Sequence, residues 1–139
     1  RITYSTNGWT DKVTARTWIE GFEEQTHQMA AGRTRFIFLD GHSSHYALPV
    51  LQFAKEHNIE LLGYPPHCTH ALQGLDVVCF AKFKLAWRAE LSRYHELYQQ
   101  KVKKEDITGL FGNAYLAAFT EETVKAAFSA TGIVPFNPD

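Results

Sequence analysis

Apolar residues along this chain recur with two different spacings, and the alternation between them sketches a fold. Over 10–29, Val13, Trp18, Ile19 and Phe22 fall at helical spacing behind Thr10 or Asp11, either of which can cap a helix, and Gly32 ends the element. Asn7-Gly8 is a turn signal, and Ile2 to Tyr4 before it reads as the tail of a strand. Arg35-Phe36-Ile37-Phe38-Leu39-Asp40 is a short unbroken apolar run closed by a carboxylate, the pattern of a strand buried on both faces. Ser43 or Ser44 is placed to cap the next helix, which carries Pro49 in its opening turns and Leu48, Leu51, Phe53 and Ala54 along it as far as His57-Asn58. A second buried strand is expected over 59–64.

Strand, helix and strand over about thirty residues make a βαβ unit, whose crossover is almost always right-handed, so the two strands should be parallel. Asp40 then stands at the carboxyl end of a strand, the edge where open α/β sheets place their chemistry. Pro65-Pro66 forces an extended exit, and 67–74 has neither period, so a loop is expected there. A long helix begins near Leu75 or Asp76, with Phe80, Phe83, Trp87, Leu91, Tyr94 and Tyr98 forming one apolar stripe. Asp76 lies one turn before Phe80 on that face, which predicts a carboxylate aimed at the sheet's edge and able to meet Asp40. The segment 101–106 reads as a charged linker, and two shorter helices, over 107–119 and 121–130, close the chain. The fold class is α/β, one domain, with a βαβ core and a long helix over about 35–100.

Composition narrows the possibilities. With 139 residues, 45% hydrophobic and 14% aromatic, the chain has material for a real core. A net charge of −1 argues against a protein that coats DNA by charge alone, so any nucleic-acid contact must come from local patches. Cys68 and Cys79 form no disulfide framework, and no apolar run approaches the roughly 20 residues that cross a bilayer. A soluble protein in a reducing, intracellular compartment is expected. A start at Arg1 and a stop just after Pro135-Phe136-Asn137-Pro138 suggest a chain cut from something longer.

The chemistry concentrates in two aspartates. A carboxylate ending a buried strand and another opening a helix packed beside it supply hard oxygen donors for Mg²⁺ or Mn²⁺, and two such ions about 3.5–4 Å apart are a device for phosphoryl transfer. The ordinary alternatives are a strand-end residue capping a helix for Asp40 and a favourable charge at a helix N-terminus for Asp76. His42, His45, His67, Cys68 and His70 lie on the two loops expected near Asp40, but their spacing matches no four-ligand zinc pattern. They are better read as residues that orient the loop or line the rim of a site. Lys82, Lys84, Arg88 and Arg93 decorate the long helix outside its stripe; singly each suits a solvated face, and together they can track a phosphate backbone.

Three stretches carry a resemblance. Phe38-Leu39-Asp40-Gly41-His42-Ser43-Ser44-His45, Tyr64-Pro65-Pro66-His67-Cys68-Thr69-His70 and Leu72-Gln73-Gly74-Leu75-Asp76-Val77 resemble the DDE superfamily endonuclease domain of pogo/Tigger-like transposases, in the mariner-type superfamily. The closing Thr131-Gly132-Ile133-Val134-Pro135-Phe136-Asn137-Pro138 resembles the same family's C-terminal signature. The resemblance implies an RNase H-like fold, metal-dependent cleavage of DNA at transposon ends, joining of the freed 3′-hydroxyl to target DNA, and a nuclear location. It maps the family's second acid onto Asp40 and its third onto Asp76.

No aspartate fits the first acid, so the first strands and that aspartate are expected before Arg1, and the chain by itself is expected to be inactive. Gly74 stands where the family usually has proline, and its entropy cost predicts a looser placement of Asp76. DNA is the expected partner, with a second copy of the chain as a further candidate. The rival reading is a domesticated descendant that binds DNA or protein without cutting. A stand-alone metabolic α/β enzyme lacks support, because no Gly-rich phosphate loop and no Gly-x-Ser-x-Gly elbow is present.

Overall fold

A computed structural model describes Gly8 and residues 10–138, so the strand tail expected at 2–4 lies outside the described residues. The chain divides into two compact units, Arg1–Pro66 and His67–Asp139.

In the first unit, helix α1 spans Lys12–Ala30. Asp11 is its cap, accepting from the Thr14 N–H at 2.8 Å, and left-handed Ala31 followed by Gly32 at φ 80° ends it. Strands β1 (Arg35–Leu39) and β2 (Ile59–Gly63) pair in parallel from Arg35↔Ile59 to Leu39↔Gly63, with helix α2 (Leu48–Glu56) between them in the chain. The described residues thus form a mixed, helix-rich α/β structure with a small parallel sheet. Ala15 and Ile19 of α1, Ile37, Ile59, and Val50, Phe53 and Ala54 of α2 make the core. Alternation along β1 puts Ile37 inside and leaves Phe36 58% exposed, so the strand expected to be buried on both faces is buried on one among the described residues.

Serine capping of α2 is also corrected. Ser43–Tyr46 form a separate 3₁₀ turn, and α2 starts from Ala47 without a side-chain cap, helped by Pro49 in its first turn, where a missing N–H costs nothing. Two arginines staple this unit. Arg16 donates to the Pro49 carbonyl at 2.7 Å and lies over the Phe53 ring at 4.2 Å, joining α1 to α2. Arg35 ion-pairs with Glu23 and donates to the His57 carbonyl, joining β1 to the body of α1 and to the C-terminal end of α2.

In the second unit, the loop expected at 67–74 contains a short helix α3 (Thr69–Leu72). A single π turn, Leu75–Cys79, runs directly into helix α4 (Phe80–Tyr98), followed by α5 (Lys104–Ala118) and α6 (Glu121–Ala130). Half of the charged linker is the first turn of α5, because Asp106 accepts from the Lys103 N–H at 2.9 Å and so closes the helix start. The aromatic stripe of α4 finds its partner within this unit on α5. Phe83 packs on Phe111 at 5.0 Å and on Phe119 at 6.4 Å, and Tyr94 reaches Asp106, so the two helices run antiparallel. Only part of the stripe is core. Tyr94 is buried, whereas Phe80 is 39% and Tyr98 59% exposed.

The Tyr94–Asp106 bond, 2.7 Å long, makes this hairpin sensitive to pH at both extremes. The Lys103 N–H and then the Tyr94 hydroxyl hold the Asp106 carboxyl below its usual range; donation to Asp106 holds the Tyr94 phenol above its own. A depressed carboxyl contributes stability that is lost as pH falls through its folded value, below about pH 4. A raised phenol contributes stability that is lost as pH rises through its folded value, above about pH 10. Denaturant midpoints followed against pH should decline at both ends, and Tyr94→Phe should remove the alkaline decline and shrink the acid one.

Candidate functional site

Asp40 follows β1 directly, at the carboxyl end of the parallel pair. A strand ending there leaves the next residues free of the ladder, and the chain turns back through the 3₁₀ turn 43–46, whose side chains fold over Asp40. Its Oδ1 accepts from the His42 N–H at 3.0 Å, and His45 Nε2 lies 3.2 Å from the same oxygen, an ion pair when the imidazole is protonated. Its carbonyl accepts from the Tyr46 hydroxyl at 3.3 Å. His42 Nδ1 meets the hydroxyl of buried Ser44 at 2.7 Å, and the two imidazole rings sit edge to face, 5.7 Å apart. Tyr46 reaches Asp40 across Gly63, where a Cβ would collide with the phenol oxygen. The Asp40 side chain keeps 42% of its surface exposed, and its Oδ2 has no hydrogen-bond or ion-pair partner among the described residues.

Asp76 lies in the π turn, exposed, while Cys79 is the buried residue of that turn. Among the described residues its carboxylate takes part in no hydrogen bond or ion pair. A π turn widens the helix by one residue, and such turns concentrate at functional sites, a signal that periodicity alone did not reveal. The turn is backed by α3 on one side and α6 on another. Gly74 explains the second contact: a Cβ there would stand 3.0 Å from both the Cβ and the carbonyl oxygen of Ala127. Glycine at this position lets α6 close on the π turn, where the entropy argument alone predicted slack.

The remaining candidates divide between the units. His42 and His45 surround Asp40, as described. His67, at φ 63°, and His70, in α3, are exposed and belong to the second unit. Lys82 donates to Thr123 of α6 at 3.1 Å, a structural tie, whereas Lys84 and Arg88 are exposed on α4. Asp11 and Asp106 are engaged at helix starts. Among the described residues no three His, Cys, Asp or Glu side chains gather as a group able to hold a metal ion.

A family model described as DDE superfamily endonuclease matches residues 1–128. The chain belongs to that family. A curated relative, the MFS-type transporter clz9 of Cochliobolus lunatus, is 35% identical over 138 residues, a match covering 99% of this chain and 15% of that protein. No solved structure matches. DDE endonucleases generally use divalent metal ions, and the donors here suit such an ion. Asp40 offers an unengaged, half-exposed carboxylate oxygen and Asp76 an exposed carboxylate, both hard ligands of the kind Mg²⁺ and Mn²⁺ prefer. Sequence reasoning missed Tyr46 and Gly63, which fix the Asp40 main chain, because nothing in the pattern pairs a tyrosine in one turn with a glycine ending another strand.

Proposed function

We propose that this chain is the C-terminal part of the catalytic domain of a cut-and-paste DNA transposase of the pogo/Tigger-like, mariner-type group, with an RNase H-like fold, acting on DNA in the nucleus. The observation that carries this reading is the match of the DDE endonuclease family across residues 1–128, with Asp40 at the carboxyl end of a parallel strand. Asp40 and Asp76 are metal ligands, and a further acid comes from outside the described residues, since Asp11 and Asp106 are engaged in capping. Two Mg²⁺ or Mn²⁺ ions, when bound, polarise the scissile phosphate and generate the attacking oxygen. The chain's own part is to present carboxylate oxygens in fixed positions, with His42, His45, His67 and His70 at the rim and Lys84 and Arg88 on DNA phosphates; Lys82 serves there only where it leaves Thr123.

The domesticated, non-cutting alternative rests on Gly74 and on the missing first acid; of these, Gly74 has a packing reason. The transporter name of the relative belongs to a protein of which this chain matches 15%. Among the described residues no helix is long and apolar enough to cross a membrane. The test is metal removal. Full-length protein containing this chain should nick DNA bearing its element's terminal repeats in Mg²⁺ or Mn²⁺, stop on chelation, and recover when the ion is restored. Nicking that survives chelation, or no nicking in either ion, would reject the reading.

A further inference from the structure

The geometry points to the groove between α4 and α5 as a stacking site for an unpaired DNA base, with the adjoining phosphates on Lys84 and Arg88. The proposal rests on DNA as the substrate and names a contact that uses neither Asp40 nor Asp76. Six residues line this groove of about 390 Å³, with Phe80, Phe83 and Lys84 on one wall and Phe111, Tyr115 and Phe119 on the other. The lining is wholly apolar, so Lys84 contributes its methylene stem and keeps its ammonium outside. Tyr115 and Phe119 lie nearly parallel with centroids 4.5 Å apart, and Phe83 tilts against Phe111 at 5.0 Å. A hairpin that only had to hold itself together would turn such rings inward. Leu110, Ala114 and Ala118 already bury that face of α5, yet Phe111 stays 50% and Tyr115 46% exposed.

Charge and ring chemistry choose the occupant. From Ile107 to Thr120 the chain carries no charged residue, and every charge between Asp76 and Glu90 is positive: Lys82, Lys84 and Arg88. Glu90 itself is engaged by Arg93 at 2.6 Å and by Asn113 at 3.1 Å, and Lys82 is tied to Thr123. Lys84 and Arg88, both exposed and four residues apart on one face of α4, therefore set the sign of the rim. A protein surface of mixed charge, such as a second copy of this chain, gains little from a rim of one sign. A strand of nucleic acid gains twice, because its bases stack on aromatic rings while its phosphates meet the cations. In duplex DNA the base faces are already stacked on one another, so the groove can take only a nucleotide that has left its pair.

The probe is a fluorescent single strand of thymidylate, about 16 nucleotides long, titrated into full-length protein with a chelator present and with melting curves as the check on folding. A matching abasic strand keeps the phosphates and loses the rings, and it should bind the wild type about tenfold more weakly. Tyr115→Leu keeps apolar bulk but removes a ring; it should weaken the thymidylate strand by a similar factor and leave the abasic strand unchanged, whereas Tyr115→Phe should bind both like wild type. Lys84→Gln should weaken both strands alike and lower the slope of log affinity against log salt by roughly 0.7. Equal binding of the two strands by wild type overturns the proposal and needs no variant to fold; so does wild-type affinity for thymidylate in folded Tyr115→Leu. Self-association lost in Tyr115→Leu with strand binding unchanged would give the groove to a second copy instead. Without divalent ions the two readings fail separately: nicking that survives chelation rejects the metal site and leaves this groove, whereas equal strand binding rejects the groove and leaves metal-dependent nicking untouched.

Discussion

Full-length protein carrying Asp40→Asn or Asp76→Asn is expected to lose metal-dependent nicking by at least about 100-fold while keeping its fold. The size follows from what a metal ligand supplies: stabilising transition-state charge through a bound ion is worth several kcal/mol, and each 1.4 kcal/mol is about tenfold in rate. Asparagine is the informative replacement. At position 40 its side-chain oxygen can still accept from the His42 N–H, so the turn keeps that anchor while the charge is lost. At position 76 the carboxylate has no partner among the described residues to lose. A structural role predicts almost no change for Asp76→Asn, because surface substitutions away from caps and buried networks usually stay within about 0.5 kcal/mol. Rates of nicking in Mg²⁺ and Mn²⁺, measured beside melting temperatures, decide it. Wild-type rates in both variants would remove these residues from the site.

Much of this arrangement is legible in the sequence, for reasons that also mark where legibility ends. The apolar run closed by Asp40, the helix behind it and the run 59–63 read as a parallel βαβ unit because burial and period are local properties of the chain. Asp11 as a cap reads the same way, since capping involves residues three positions apart. What the pattern does not carry is the identity of a distant partner. The stripe on α4 is visible as apolar, but its packing on Phe111 of α5 and on Phe119 just after that helix is not, and neither is the exposure of Phe80 and Tyr98. Arg16 and Arg35 count as ordinary surface charge in composition, yet they staple α1 and β1 through Pro49 and His57.

The candidate site divides along the same line. His42 and His45 are readable as residues that orient the loop after Asp40, because they lie within five positions of it. Their chain of contacts through Ser44 depends on a 3₁₀ turn that the capping rule assigned to the start of α2 instead. The π turn around Asp76 has no signature, since a single inserted residue shifts the apolar phase too little to separate from ordinary scatter.

Restoring the family's usual proline at position 74 is expected to destabilise the second unit, despite being favourable on local grounds. Gly74 lies at φ −57°, within reach of proline's fixed angle, and Gln73 before it is extended, as a residue preceding proline prefers. Lower freedom in the unfolded chain would stabilise Gly74→Pro by about 0.4–1 kcal/mol. Against this, any Cβ at 74 meets the Ala127 carbonyl oxygen and Cβ at 3.0 Å. That backbone is poorly placed to yield: Ala127 is buried mid-helix, and its carbonyl accepts from the Thr131 hydroxyl at 3.1 Å. Overpacking of this kind costs about 1–3 kcal/mol, so the collision outweighs the entropy gain. Gly74→Ala should be destabilised as well, and Ala127→Gly, which by itself costs about 0.5–1 kcal/mol inside a helix, should cost less in either background than in the parent because it removes the Cβ contact. Denaturant midpoints give the sign directly, and a Gly74→Pro protein more stable than the parent would show that α6 is free to shift away from the turn holding Asp76.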